Sequence, residues 1–574
     1  MIAYPLRTMR KVQLLDGNWD FVFLGDGIDV ESIKPSCIVY DDRMPVPSAF
    51  DAYPSYAGKR GTAVYRTKIE VTLGRKSRIH FHGLGMWAGI YVDNQRVGQC
   101  SLPYTGFWVD VPPASHRERE LVVVVDNRWD ARRAPLQEQY YDFYAYGGIF
   151  RSVEWHEVPD LSIDRVSVTT LDVKAGVVAV AIKLLGAVPD SLDLRIAFDA
   201  GQSVVWKNQK VSDDHIHLEV KMPDPAAWSP RNPRLHTLRV VAGDDDIIER
   251  FGLRTVEARN GVICINGEPQ KLLGYCRHES HPQFGPALPV QQLVQDLQLL
   301  KDLGCNFVRG AHYPQDQRFL DLCDEMGFCV FEESLGWNND VQHFNNPDFC
   351  DAQEEQTTAM VRNSYNHPSV IMWGYLNEGR SDKQESRSLY KRLAECIRRE
   401  DGTRLVTSAS NQPLTDVNYD LFDVVAVNIY PGWYAEDREL VRPLGEIVPY
   451  IHKVITHLEK EGLQAKPLVI SEIGAAALYG WRDPLNAQWT EQYQSDYLET
   501  VCEEVMRNPR ISGLAIWLFC DSRTYASSHS LMRPRTFNNK GTLDEYRRPK
   551  MAYNTVKRIF RGDNLCGLRA RMNA

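Results

Sequence analysis

Residues 366–378 read NHPSVIMWGYLNE, and residues 467–472 read PLVISE. In both stretches an apolar run of strand length, with no charged side chain inside it, ends at a glutamate, Glu378 or Glu472. Strands that are apolar on both faces are typical of a parallel sheet covered by helices. The two stretches therefore predict a parallel α/β unit in the second half of the chain.

The rest of that half has the same rhythm, because apolar runs alternate with amphipathic segments of 10 to 20 residues. The two clearest helical segments are VQQLVQDLQLLKDL (290–303) and SRSLYKRLAECIRRE (386–400). Eight strand candidates can be counted: QKLLGYC (270–276), CNFVRG (305–310), FCVFEE (328–333), SVIMWGYLNE (369–378), RLVTSAS (404–410), DVVAVNIY (423–430), PLVISEIG (467–474) and SGLAIWLF (512–519). Eight strands with intervening helices predict a C-terminal TIM (β/α)8 barrel over residues 258–574.

The first half of the chain consists of short β-like runs broken by turn residues. Runs such as TAVYRTKIEV (62–71) and ELVVVVDN (120–127) predict a jelly-roll β-sandwich over residues 1–158. Residues 159–257 contain about seven further short runs, as expected for an immunoglobulin-like β-sandwich. We therefore expect a multidomain β plus α/β protein with three domains in this order.

The composition limits the partners. The chain has 574 residues, and its 66 Lys and Arg against 75 Asp and Glu give a net charge of −9, without long runs of either sign. This argues against a nucleic-acid or membrane-surface partner and favours a small or neutral ligand. The first residues lack a signal-peptide pattern, and the 12 cysteines are scattered without metal-ligand spacing. We expect a cytoplasmic protein with reduced cysteines, and the sequence leaves a homo-oligomer open.

The positions of Glu378 and Glu472 predict catalysis. In a parallel barrel the active site forms at the carboxyl ends of the strands, and strands four and seven face each other across the mouth. Two carboxyl groups about 5–5.5 Å apart in one cleft support a retaining glycosidase mechanism, and a wider gap supports inversion. A single glutamate at a strand end is more often a solvated group or half of a structural ion pair. The matched placement of two favours an active site.

The chain resembles glycoside hydrolase family 2, the family of the β-galactosidases, β-glucuronidases and β-mannosidases. The pair Asn377-Glu378 is similar to the acid/base signature of this family. Further similar stretches occur in the family's usual order along almost the whole chain: RGTAVYRTKIEV (60–71), YVDNQRVG (91–98), WSPRNPRLHTL (228–238), FGLRTVEARNGVICINGEPQKLLGYCRHE (251–279) and RGAHYPQDQRFLDLCDEMG (309–327).

The resemblance implies a retaining mechanism with Glu378 as acid/base and Glu472 as nucleophile. It also implies that Asn377 binds the 2-hydroxyl of the sugar and that Tyr430 donates a hydrogen bond to the nucleophile.

Four more barrel residues match pocket positions of the family. Arg309 and His312 of RGAHYP, with His278 of CRHE, match residues beside the two carboxylates. Without the resemblance, His278 and His312 are typical of satisfied loop histidines. Trp517, at the end of the eighth strand, matches the floor beneath the sugar.

The choice of sugar depends on the loop after the eighth strand. Asn538 and Lys540 give Asn-x-Lys, which resembles the motif by which β-glucuronidases hold the uronate carboxylate. A lysine with a neighbouring amide can bind a carboxylate but gains little from a neutral hydroxymethyl group. Asp142 matches the glucuronidase position that reaches O4 of the sugar, and Tyr434 matches a tyrosine near the carboxylate end.

The approach to this motif, MRPRTF (532–537), departs from the Gly-rich pattern of glucuronidases. It leaves open whether Arg533 or Arg535 is the extra carboxylate partner.

We therefore predict a retaining exo-β-glycosidase, foremost a β-glucuronidase acting on small conjugates or oligosaccharides, with no cofactor and no obligatory metal. The segment ESLGWNNDVQHFNNPDF (333–349) has no long insertion, which predicts an open pocket. β-Galacturonidase and β-galactosidase stay open as alternatives, because galacturonic acid differs from glucuronic acid only at C4. A catalytically inactive carbohydrate-binding homologue is the non-enzyme alternative, but such relatives usually lack one carboxylate. A purely structural scaffold predicts no polar residues converging at the barrel mouth.

Overall fold

The structure is a computed structural model that describes residues 4–130, 142–199, 201, 203–434, 444–525 and 532–562. The first ten strands form a sandwich of a six-stranded sheet, in the order β3-β2-β4-β9-β6-β7, and a four-stranded sheet, in the order β1-β10-β5-β8. Alternating side chains of both sheets fill one apolar core that includes Trp19, Phe21 and Trp155. The strands are β1 Lys11–Leu14, β2 Gly17–Gly25, β3 Asp42–Val46, β4 Thr62–Glu70, β5 Lys76–Phe81, β6 Trp87–Val92, β7 Gln95–Cys100, β8 Phe107–Val111, β9 Glu118–Asp126 and β10 Val153–Val158.

A second sandwich follows directly. Its sheets have the strand orders β11-β12-β15 and β14-β13-β18-β19, which together give the seven main strands that the sequence predicts. A short β16-β17 hairpin is added to these two sheets. The strands are β11 Leu161–Asp172, β12 Val177–Gly186, β13 Ser191–Phe198, β14 Val204–Lys210, β15 His215–Lys221, β16 Trp228–Ser229, β17 Asn232–Pro233, β18 His236–Ala242 and β19 Asp245–Phe251.

A three-stranded antiparallel sheet leads into the barrel. The barrel strands all pair in parallel, and β31 pairs with β23 to close the ring. Strands β27 and β28 flank Ser408 and are two parts of the fifth barrel strand, so the eight predicted strands are confirmed. The strands of the three-stranded sheet are β20 Val256–Arg259, β21 Val262–Ile265 and β22 Glu268–Gln270. The barrel strands are β23 Leu272–Arg277, β24 Phe307–Gly310, β25 Cys329–Glu333, β26 Val370–Gly374, β27 Leu405–Thr407, β28 Ala409–Ser410, β29 Val425–Asn428, β30 Leu468–Ile473 and β31 Ile511–Ile516. A separate two-stranded sheet after the barrel consists of β32 Ser522–Arg523 and β33 Phe537–Asn538.

The barrel is surrounded by helices whose apolar faces are buried against the strands. In the first helix Leu293, Leu297 and Leu300 are buried, as their spacing predicts, and Gly304 ends the helix in the left-handed region with φ 87°. The helices are α1 Val290–Leu303, α2 Gln317–Met326, α3 Val341–Phe344, α4 Pro347–Ser364, α5 Ser386–Glu400, α6 Ile447–Lys460, α7 Glu491–Arg507 and α8 Met551–Arg561. Within the described ranges, none of them combines the length and the apolar character that a membrane crossing needs.

The first sandwich packs against the mouth of the barrel. Arg151 donates hydrogen bonds to Glu279 over 2.9 Å and to the carbonyl of Pro314 over 2.8 Å. Next to this pair the rings of Tyr104 and Tyr313 stack at 4.0 Å. These buried contacts hold the segment that follows residue 141 at the carboxyl ends of the barrel strands.

Candidate active site

Glu378 and Glu472 line one cavity of about 1510 Å³ at the barrel mouth, which we call the cleft. Glu472 lies within β30, whereas Glu378 lies four residues beyond the end of β26. The backbone of Glu378 has φ 53°, in the left-handed region that non-glycine residues rarely adopt, and its N–H donates to the carbonyl of Ala409 on β28. Such backbone strain persists where the surrounding structure fixes a side chain at a functional site.

The Glu378 carboxyl group is in a setting that favours its protonated form. Its Oε1 accepts a hydrogen bond from Asn428 Nδ2 at 2.8 Å, and Oε2 lies 3.5 Å from Asn411 Nδ2. Burial, followed by the negative charge of Glu472, raises the pKa of Glu378 to about 8, and the bond from Asn428 offsets only part of this. At neutral pH this group can therefore donate a proton.

The Glu472 carboxyl group accepts hydrogen bonds from an arginine and a tyrosine. Arg309 Nη1 donates to Oε1 over 2.7 Å, and the Tyr430 hydroxyl donates to Oε2 over 2.7 Å. Charge-assisted hydrogen bonds of this kind stabilise a carboxylate and fix the direction of its oxygens. The cleft thus contains one carboxyl group suited to donate a proton and one suited to act as a nucleophile.

Arg309 connects the nucleophile candidate to the rest of the site. Its guanidinium is fully buried and also donates to Asn377 Oδ1 over 2.7 Å and to Glu333 Oε1 over 2.7 Å. Asn377 Oδ1 also accepts from Asn428 Nδ2 at 3.0 Å. One network therefore fixes Asn377, Glu472 and, through Asn428, Glu378.

The two predicted histidines lie beside this network. His312 Nδ1 is 3.0 Å from Glu333 Oε2, and its ring stacks on Trp517 at 5.1 Å and 13°. Burial and the nearby Arg309 lower the pKa of His312 to about 3, so the ring is neutral. His278 is buried, packs edge-on against Trp517 at 5.3 Å, and has its pKa lowered well below the ordinary value by burial and by His312.

Lys540 provides a buried cation at the other side of the site. Its side chain is 1% exposed, and Nζ donates to the Tyr434 hydroxyl over 2.6 Å. The ammonium also lies over the rings of Tyr430 and Trp433, at 5.4 and 5.6 Å from their centroids. In the described part of the chain, no carboxylate lies within ion-pair distance of Nζ. Burial and Arg533 lower the pKa of Lys540 well below its ordinary value.

The two arginines of the loop have different contacts. Arg533 lines the cleft and donates to both Asp142 oxygens, with Nε at 2.6 Å from Oδ1. Arg535 instead pairs with Glu545 over 2.8 Å, and half of its side chain is exposed. Asn538 Nδ2 completes the group by donating to Asp142 Oδ2 over 3.0 Å.

The predicted site residues thus form two layers of one site. Those that line the cleft are Asp142, His312, Glu378, Tyr430, Tyr434, Glu472 and Trp517. The remaining five bond to or pack against these lining residues: His278, Arg309, Asn377, Asn538 and Lys540.

Three residues of this site were not predicted from the sequence. Glu333 ends β25 and Asn428 ends β29, so the strand-end argument that selected Glu472 applies to both. Asn411 follows β28 directly, so the same strand-end argument applies to it. Only the assembled barrel shows that these side chains contact Arg309 and Glu378.

Two clusters in the described part of the chain have the side chains for a metal ion. One contains His80, His82 and Glu154, and the other contains Asp321, Asp324 and His367. Both lie outside the cleft, whose two glutamates bond to amides, a tyrosine and an arginine instead.

Comparisons with known proteins agree with this geometry. The TIM barrel domain model of glycosyl hydrolases family 2 matches residues 256–562, and the sugar binding domain model of that family matches residues 39–159. A β-glucuronidase of Streptococcus agalactiae serotype V is 28% identical over 97% of both chains, and one of Rattus norvegicus is 29% identical over 96% of this chain and 91% of its own. The crystal structure of a family 2 β-galacturonidase from Eisenbergiella tayi bound to galacturonate superposes with a TM-score of 0.86, at 33% identity over 97% of this chain and 98% of that one.

Proposed function

The chain belongs to glycosyl hydrolase family 2 and is a glycoside hydrolase, and from that premise we propose that it is a retaining exo-β-glycosidase releasing terminal β-D-glucuronic acid. Its substrates are small conjugates or oligosaccharides. In this proposal Glu378 is the acid/base and Glu472 is the nucleophile.

The observation that supports a uronic acid is the buried lysine. An ammonium group has three N–H donors, and the Tyr434 hydroxyl takes one of those of Lys540. A buried cation without a carboxylate partner is costly unless a ligand supplies the negative charge. A uronate carboxylate would bind the remaining donors and raise the lysine pKa again, whereas a neutral hydroxymethyl group supplies no charge.

The first chemical step uses the different states of the two glutamates. The ionised Glu472 carboxylate attacks the anomeric carbon, and the bond from that carbon to the leaving oxygen breaks. Glu378 gives its proton to the leaving oxygen, which departs as a neutral alcohol. This step converts the β-glycoside into a covalent α-linked glycosyl ester on Glu472.

Formation of the ester also changes the charge around Glu378. Burial still raises the pKa of Glu378, but the ester has no negative charge, so the additional rise caused by repulsion from Glu472 is removed. Glu378 is then a carboxylate and takes a proton from the water that attacks the anomeric carbon. The bond from that carbon to Glu472 breaks, and the sugar is released as the β-anomer.

The neighbouring polar groups support these steps. Tyr430 and Arg309 stabilise the charge on Glu472 before attack and after release. We assign Asn377 to the sugar 2-hydroxyl, since Arg309 and Asn428 occupy its oxygen, and its Nδ2, which lies 3.4 Å from His312 Nε2, has a second N–H to donate. A contact to the 2-hydroxyl strengthens as the oxocarbenium-like transition state forms.

β-Galacturonidase is the second candidate. The observation in its favour is the 33% identity, over 97% of this chain, to the Eisenbergiella tayi β-galacturonidase bound to galacturonate. The two sugars differ at C4, and Asp142 matches the family position for O4. In this chain the Asp142 carboxylate is bound by Arg533 and Asn538, so the donors of Arg533 also face that end of the cleft.

Hydrolysis of 4-nitrophenyl β-glycosides tests the proposal. The panel comprises the glucuronide, galacturonide, galactoside, glucoside and mannoside. We expect kcat/KM to be highest for the glucuronide, and both uronides to exceed all three neutral sugars. A preference for the galacturonide supports the second candidate, and a preference for any neutral hexoside refutes a uronidase.

We also propose a cytoplasmic location. All eleven cysteines in the described part of the chain are free, and nine of them are buried. Free, buried thiols are typical of a reducing compartment. Fractionation of the source cells tests this, and recovery of the protein outside the cytoplasm contradicts it.

A further inference from the structure

A cluster of histidines with one glutamate lies in the first sandwich, outside the cleft. His80 and His82 are two residues apart on and just after β5, and Glu154 and His156 have the same spacing on β10. Side chains two residues apart on a strand share a face of the sheet. The antiparallel pairing of β5 with β10 places His80 directly opposite Glu154, so the four side chains lie together on one face.

The distances within this cluster fit a metal ion. One ligand atom from each of His80, His82 and Glu154 lies within 4.8 Å of the other two. His82 Nε2 is 3.6 Å from Glu154 Oε1, which is too long for a hydrogen bond, and among the described residues this buried nitrogen has no hydrogen-bond partner. Two ligands about 2.1 Å from a tetrahedral zinc ion lie about 3.4 Å apart, close to the observed separation.

Neighbouring side chains hold the cluster in position. The His80 ring is stacked on Trp108 of β8 at 4.2 Å and 4°. His156 Nε2 lies 2.9 Å from the other Glu154 oxygen, Oε2, which orients that carboxylate. Ordered partners of this kind fix the ligands of metal sites in other proteins.

The cluster is also accessible to an ion. Its residues line a cavity of about 210 Å³ at the junction of both sandwiches with the barrel. The side chains of His82 and Glu154 are 17% and 15% exposed. An ion can therefore enter from solvent, and the cavity has room for a bound water.

We propose that His80, His82 and Glu154 form a binding site for Zn²⁺ or a similar divalent transition metal. Two imidazoles and one carboxylate are a ligand set that zinc accepts, with water in the fourth position. His156 positions the carboxylate. Because β5, β10 and the junction meet here, the ion stabilises the sandwich and its contact with the barrel, and hydrolysis in the cleft does not need it.

The chain contains a matched control pair. His215 and His217 on β15 have the same spacing, and their rings lie parallel at 6.1 Å. Lys183 lies opposite His215 and Ala181 lies opposite His217, whereas His80 has the carboxylate of Glu154 opposite it. A histidine pair on a strand with no carboxylate directly opposite it is thus available in the same molecule.

The test uses the full chain, stripped with a chelator and titrated with ZnCl2 by isothermal calorimetry, with metal content measured after dialysis. We expect one zinc per chain in the wild type and in the H215A/H217A variant. His80→Ala/His82→Ala and Glu154→Gln should each weaken zinc binding at least about tenfold, since even loss of an outer partner of a metal ligand costs 10- to 100-fold. Zinc should raise the melting temperature only in the proteins that bind it.

Unchanged hydrolysis of the substrate shows that each variant is folded, independently of its zinc affinity. The proposal is overturned if the wild type binds no stoichiometric zinc. It is overturned equally if the His80/His82 and Glu154 variants bind zinc as tightly as the wild type, or if the His215/His217 variant loses the zinc instead.

Discussion

Replacing Lys540 by methionine removes the buried ammonium while nearly keeping the volume of the side chain. In the structure this group is 1% exposed, donates to Tyr434, and has no carboxylate within ion-pair distance among the described residues. Its charge is therefore available to a substrate carboxylate. Loss of one charged partner from a desolvated pair costs on the order of 2–4 kcal/mol. This corresponds to a decrease of about 30- to 1000-fold in kcat/KM for a uronide.

The assay compares 4-nitrophenyl β-glucuronide with 4-nitrophenyl β-glucoside, for both the wild type and Lys540→Met. The neutral substrate should lose little or gain, because the variant no longer has an uncompensated cation in the site. Lys453→Met is the matched control: this lysine lines the same cleft but is exposed on α6, so its loss should change both substrates by less than about threefold.

The result that refutes this reasoning is an equal loss on both substrates in Lys540→Met. Such a result would mean that the lysine supports the fold of the site and does not read the substrate charge. A Lys453→Met variant that loses glucuronide hydrolysis as strongly would refute it as well, because it would place the carboxylate at the outer end of the cleft.

Three further predictions concern the chemistry of the site. Glu378→Gln and Glu472→Gln should each lower kcat by about three orders of magnitude or more without changing the melting temperature by more than a few degrees; near-normal turnover in either contradicts its role. Because Glu378 must be protonated to act as the acid and its pKa is about 8, kcat/KM should fall about tenfold per pH unit above pH 8. A decrease of kcat/KM with rising pH that already begins below pH 6 contradicts the assignment. Arg533→Ala should lower kcat/KM for the glucuronide by a factor equivalent to about 2–5 kcal/mol, since it removes the guanidinium that is ion-paired with Asp142 in the cleft, whereas Arg535→Ala should have less than about a threefold effect; kinetics on both variants distinguish them.

The barrel could be predicted from local patterns. Helices α1 and α5 have the bounds of the predicted segments 290–303 and 386–400, because each combines an apolar stripe with a clear end. Each of the eight apolar runs contains a barrel strand, because strands of a parallel sheet covered by helices are apolar on both faces. The domain limits at residues 158 and 257 stay a prediction, and strand β20 crosses the second of them.

The site could be predicted only in part. The position of Glu378 beyond its strand depends on a left-handed backbone and on the carbonyl of Ala409, which is distant in sequence. Arg533 and Arg535 are two residues apart in one basic loop, and only the folded turn Pro534–Thr536, in which Arg535 has a positive φ, shows that Arg533 lines the cleft. Neither feature has a signal in the residue types, because both depend on contacts that only the folded chain makes.

The measurement that tests the central claim most directly is proton NMR of the sugar first released from 4-nitrophenyl β-glucuronide. If Glu472 attacks the anomeric carbon and Glu378 then activates water, the signal of β-glucuronic acid appears first and the α-anomer grows only by later mutarotation. An α-anomer as the first product, or no release of glucuronic acid, would contradict a retaining β-glucuronidase.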